Sequence, residues 1–136
     1  MKTKSILVLT FILAATCVSI AQEGQKIQGT WKLIESSGNP LPEGYTNIKM
    51  ITPTHFIWTM IDKEGNIVTG AAGTYTLEGN VYSETILYTL PGMKSWKGKN
   101  ASYNAVVEGK VLKMSGSLTF DEKRKVGNEE SWEKID

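Results

Sequence analysis

Gly29-Thr30-Trp31-Lys32-Leu33 opens the first strand-like run of this chain, and Trp132-Glu133-Lys134-Ile135 closes the last one. Between them no segment repeats apolar residues at helical spacing. Instead, short apolar and alternating runs are separated by Gly, Pro, Asn and Asp, which punctuate strands. Eight such runs with short connections predict an all-β domain folded as an antiparallel meander. Closing the meander into an eight-stranded barrel removes the edges it would otherwise expose.

The strands are expected at Gly29–Ser37, Thr46–Thr52, His55–Asp62, Ile67–Leu77, Val81–Leu90, Ala101–Glu108, Lys110–Phe120 and Glu129–Ile135. The loop through Pro40, Pro42 and Gly44 has room for one helical turn, and Gly70 to Gly73 mark a bend or bulge in the fourth strand. Pro53-Thr54, Lys63-Glu64-Gly65-Asn66, Glu78-Gly79-Asn80 and Gly109 read as turns.

Ahead of this domain, Lys2 and Lys4 precede the apolar stretch Ile6 to Ala15, and Ser19-Ile20-Ala21 places small residues where a signal peptidase reads. Residues 1–21 are therefore read as a signal peptide cut before Gln22, leaving 22–136 as one exported domain, periplasmic or secreted. A lipoprotein anchor through Cys17 is the minor alternative, disfavoured by Thr16 just before the cysteine. The leader takes with it two lysines and the single cysteine, so the remaining 13 basic and 14 acidic residues leave one net negative charge. Neither nucleic acid nor an anionic membrane finds a basic field here, and no integral span is expected. Without disulfides, an exported domain of this size depends on its core.

Alternation sorts the side chains into faces. Phe56, Trp58 and Met60 share one face of the third strand, Gly73, Tyr75 and Leu77 one face of the fourth, and Tyr82, Glu84, Ile86 and Tyr88 one face of the fifth. Tyr103, Ala105 and Val107 follow on the sixth, and Leu112, Met114, Gly116 and Leu118 on the seventh. The aromatic faces are assigned to the interior. The third strand is apolar on both faces, so a one-residue slip would exchange its two sets.

Gly29-Thr30-Trp31 resembles the Gly-x-Trp that opens the first strand of lipocalins, and Trp132-Glu133-Lys134 resembles the end of the final strand in lipocalins and fatty-acid-binding proteins. Ile51-Thr52-Pro53-Thr54-His55-Phe56, Gly73-Thr74-Tyr75-Thr76-Leu77 and Tyr82-Ser83-Glu84-Thr85-Ile86 are similar to stretches of a lipocalin-like, calycin-type family of small exported bacterial proteins whose function is not established. The resemblance implies a barrel open at one end, with Trp31 plugging the closed end and Lys134 lying over its ring. Lipocalins favour arginine in that role, and a lysine stacks less well. The arginine clamp of fatty-acid-binding proteins has no counterpart: Glu130 stands two residues before Trp132, and an inward Glu130 would repel a fatty-acid carboxylate.

Catalytic readings rest on little. His55 is the only histidine, no Gly-x-Ser-x-Gly elbow is present, and histidine-based metal sites lack donors. Gly92 to Asn100 departs from a phosphate loop in both spacing and terminal residue. An acid–base pair of His55 and Glu84 is the one enzymatic option, although alternation puts the two on different faces. No cofactor or metal is expected.

A binding module is favoured, with Phe56, Trp58, Met60, Tyr75, Tyr82, Glu84, Tyr88, Trp96 and Tyr103 as the lining of a site for a small apolar or amphipathic ligand. Glu84 is singled out because a buried carboxylate needs a partner or a ligand. Pro91–Asn100 is long for a hairpin and sets Trp96 among Lys94, Lys97 and Lys99; it reads either as a lip whose Trp96 and Lys97 close over a ligand or as a solvated loop. The alternative function is a barrel packed solid that acts through its outer surface as an interaction or inhibitor-type module. A cavity of roughly 300 Å³ or more separates the two.

Overall fold

The computed structural model describes residues 26–136; the leader, its cleavage site and Cys17 lie outside the described residues. Eight strands form one closed antiparallel barrel in chain order: β1 (Gly29–Ser36), β2 (Thr46–Ile51), β3 (His55–Ile61), β4 (Ile67–Glu78), β5 (Val81–Thr89), β6 (Asn100–Glu108), β7 (Val111–Thr119) and β8 (Lys125–Lys134). Each strand pairs with its sequence neighbours, and β8 returns to β1 with Trp31 opposite Lys134 and Leu33 opposite Trp132.

Three differences from the sequence reading matter. β8 begins at Lys125 rather than Glu129, because β7 is long enough to pair Thr119 with Lys125 and carry Val126-Gly127-Asn128 along with it. The loop at Pro40 to Gly44 contains a turn and no helix. A 3-10 segment lies instead at Pro91–Trp96, started by a proline whose fixed φ suits a first helical position.

Two bulges set which side chains face inward. On β1 the register skips between Leu33 and Glu35, so Ile34 is left over and exposed and Ser36 turns inward. On β5 Gly73 pairs with Ile86 but Ala72 pairs with Tyr88, which makes Leu87 the extra residue. A bulge was expected at Gly70 to Gly73; its extra residue sits across the ladder, on β5. Gly73 is needed there because a Cβ at that position would lie 1.9 Å from the Thr85 carbonyl oxygen.

The core divides along the barrel axis. Toward the end carrying the β2–β3, β4–β5 and β6–β7 turns, Trp31, Phe56, Tyr82, Leu112, Met114 and Trp132 are fully buried. Trp31 donates its indole N–H to the Ile27 carbonyl at 2.8 Å, and the Lys134 ammonium stands 5.4 Å from its ring centre. The plug and its covering lysine are thus in place, with Lys134 also donating to the Gln28 carbonyl at 3.0 Å. Toward the other end the interior is hollow.

Candidate ligand cavity

The hollow half is a cavity of about 750 Å³. Its mouth lies among the β1–β2, β5–β6 and β7–β8 connections, which contribute Leu41, Met93, Trp96, Phe120 and Arg124 to the wall. One side is aromatic. Trp58 of β3 meets Trp96 at 6.2 Å between ring centres, and Trp96 meets the edge of Phe120 at 5.5 Å. Met60, Ile86, Leu118 and Leu33 extend the apolar lining around the barrel.

The deep side is polar. Lys49 of β2 and Glu84 of β5 face each other across the interior, with Nζ 2.8 Å from Oε1 and only 2% and 4% of each residue exposed. Four rings surround that ammonium, those of Trp132, Tyr82, Tyr103 and Phe56, at 5.2 to 6.0 Å. Burial pushes the Lys49 ammonium toward losing its proton, but the Glu84 carboxylate, with Glu130 behind it, more than offsets this and leaves its pKa above the ordinary lysine value. For the Tyr103 and Tyr82 phenols burial acts the other way and raises the pKa, with nearby carboxylates adding to the effect. Glu130 lines the same cavity and accepts hydrogen bonds from the Trp132 indole N–H at 2.8 Å and the Asn128 amide. Asn47 is 8% exposed, and its Oδ1 has no hydrogen-bond partner.

Of the nine residues read as lining, Trp58, Met60, Glu84, Trp96 and Tyr103 are on the cavity wall. Phe56 and Tyr82 point inward but lie beneath it, in the filled half beside the Lys49 ammonium. Tyr75 stacks on Tyr82 at 4.9 Å and ties its hydroxyl to the Thr52 carbonyl at 2.7 Å, away from the cavity. Tyr88 is a correction: it is 66% exposed on the outside of the barrel, because the bulge at Leu87 reverses the alternation beyond Ile86. Lys97 is exposed and off the wall, so of the two residues expected to close over a ligand only Trp96 lines the cavity. His55 is exposed, with Nδ1 2.7 Å from the Thr54 hydroxyl, and does not meet Glu84.

The buried Glu84 carboxylate finds its partner in Lys49, a residue absent from the expected lining. The reason is that β2 is inverted in polarity: Asn47 and Lys49 face inward while Met50 is 42% exposed. Register carried the missing signal. With Trp58 inward and a tight turn at Pro53-Thr54, the residue opposite Trp58 is Lys49.

Among the described residues no cluster of three or more His, Cys, Asp or Glu is placed to hold a metal ion, and no helix is long and apolar enough to cross a membrane. The sequence matches no protein-family model and no curated protein.

Proposed function

We propose that this chain is an exported, lipocalin-like binding protein that takes a small apolar or amphipathic molecule into the open half of its barrel. The cavity carries the reading. At about 750 Å³ it falls within the roughly 300–1,000 Å³ of small-molecule sites, and it pairs an extended apolar wall with a few convergent polar groups. The plugged end beneath it gives the site a fixed floor. A solidly packed interaction module has no use for such a void, since unfilled interior forfeits dispersion contacts.

Native mass spectrometry of protein purified from its own cells tests the proposal. A retained small molecule, released on denaturation and absent from Trp58→Ala protein, is the expected result. Protein that carries nothing, and that takes up no apolar probe in calorimetric titration, would return the barrel to an outer-surface role.

A further inference from the structure

The polar lining of the cavity specifies what its occupant must carry. Lys49 is already engaged by Glu84 at 2.8 Å. Glu130 adds a second carboxylate to the same wall, and its hydrogen bonds come from neutral donors, the Trp132 indole and the Asn128 amide. Below the mouth the lining therefore holds two carboxylates, the buried Glu84 and the part-buried Glu130, for one ammonium. Arg124, the other cation on the wall, is exposed at the mouth with its guanidinium 4.4 Å from the Phe120 ring centre. Independently, the carbonyl of Asn47, more than nine-tenths buried on this wall, has no donor. Surplus negative charge and an unanswered acceptor ask for the same thing: a positively charged hydrogen-bond donor.

Resting on the reading of the cavity as a small-molecule site, we infer that its occupant is a cationic amphiphile, a primary or secondary ammonium on an apolar body. Its N–H groups answer Asn47 Oδ1 and the surplus carboxylate, and its body lies against Trp58, Trp96 and Phe120. A carboxylate head would bring a third negative charge into a water-poor interior, where like charges repel strongly. An alcohol of the same length fits the apolar wall and donates one hydrogen bond, but leaves the charge uncompensated.

Decylammonium, decan-1-ol and decanoate, titrated calorimetrically into the protein at pH 7 below their micellar concentrations, separate these cases. Decylammonium should bind at least about tenfold more tightly than decanoate, with decanol between them. Glu130→Gln should remove most of the ammonium's advantage over decanol, read as the ratio of the two affinities within the variant, with circular dichroism verifying the fold. If that variant fails to fold, the wild-type ranking still decides. Decanoate binding as tightly as decylammonium, or an undiminished advantage in folded Glu130→Gln, would overturn the inference. Uptake of all three without charge preference sinks this inference alone, whereas uptake of none sinks the cavity reading beneath it as well.

Discussion

Replacing Lys49 with methionine keeps most of the side chain's volume and removes its charge, stranding Glu84 in a site where it is 4% exposed. At the observed 2.8 Å separation, the attraction within the pair is about 6 kcal/mol at an effective dielectric constant near 20. Desolvating each ion costs several kcal/mol, so the intact pair stabilises the fold by little, if at all. Removing one member is different. The attraction disappears while the other ion's desolvation remains, and the expected loss is about 3–5 kcal/mol. That is a large share of a typical domain's 5–15 kcal/mol, which makes it easy to read as a shift in urea midpoint. Glu84→Met should cost less, because Glu130 still faces the Lys49 ammonium. The double variant Lys49→Met/Glu84→Met should lie closer to wild type than Lys49→Met does, leaving a coupling energy of roughly 2 kcal/mol or more. Strictly additive losses, or a Lys49→Met cost under about 1 kcal/mol as for a surface substitution, would refute the reasoning.

Stability should fall in alkali, because Lys49, Tyr82 and Tyr103 all hold their protons more firmly when folded than the unfolded chain does. The contribution is complete below about pH 10 and declines above it by about 1.4 kcal/mol per pH unit for each group still protonated only in the fold; urea melts from pH 9 to 11 should show this slope, flattened in Tyr103→Phe, and a level profile would contradict the assignments. Trp31→Ala removes a fully buried plug and should cost about 3–5 kcal/mol, whereas a loss under about 1 kcal/mol would show the plug to be dispensable. Trp96→Ala breaks ring contacts with both Trp58 and Phe120 and opens the cavity wall, so it should lower stability by about 1–3 kcal/mol and weaken probe binding together; an unchanged affinity would place the occupied space elsewhere. Tyr82→Phe deletes a buried hydroxyl that lies beside the Glu84 carboxylate without a well-formed hydrogen bond, and should change stability in thermal melts by under about 1 kcal/mol. A loss above about 2 kcal/mol would mean the hydroxyl is satisfied after all.

The barrel was legible because its signals are local and agree with one another. Period-two runs, turn residues at each reversal and a tryptophan near each end all point to the same meander, and the inward set on β3 was read correctly as Phe56, Trp58 and Met60. What escaped the sequence depends on pairing across strands. Tyr88 was placed inside because strict alternation from Tyr82 puts it there, and a single extra residue at Leu87 turns it out. Lys49 was overlooked because a lysine between Ile48 and Met50 looks like the solvent side of a half-buried strand. Its burial makes sense only when Glu84, 35 positions away, is known to face it. Trp96 reads from sequence either as a lip residue or as part of a solvated loop, and its packing against Trp58 and Phe120 joins three segments distant in sequence.

The hollow itself follows from how side-chain volume is spent along the barrel. Eight strands enclose an interior that side chains can just fill, so a void arises only where inward positions are small. On the plugged side those positions hold Trp31, Phe56, Tyr82, Leu112 and Trp132. On the open side they include Ser36, Thr69, Ala71 and Ala101, and the bulge that turns Tyr88 outward removes the one large ring β5 would otherwise have sent into this half. The Lys49–Glu84 pair sits where the two halves meet. A dry apolar core cannot tolerate an ion pair without rings and hydrogen bonds around it, and a wet cavity would weaken that pair by screening it. Set between the two, the pair has aromatic rings around its ammonium and lies almost fully buried at the base of the cavity. The same charges that make the single substitution at Lys49 costly therefore mark the boundary between the filled and the hollow half of the barrel.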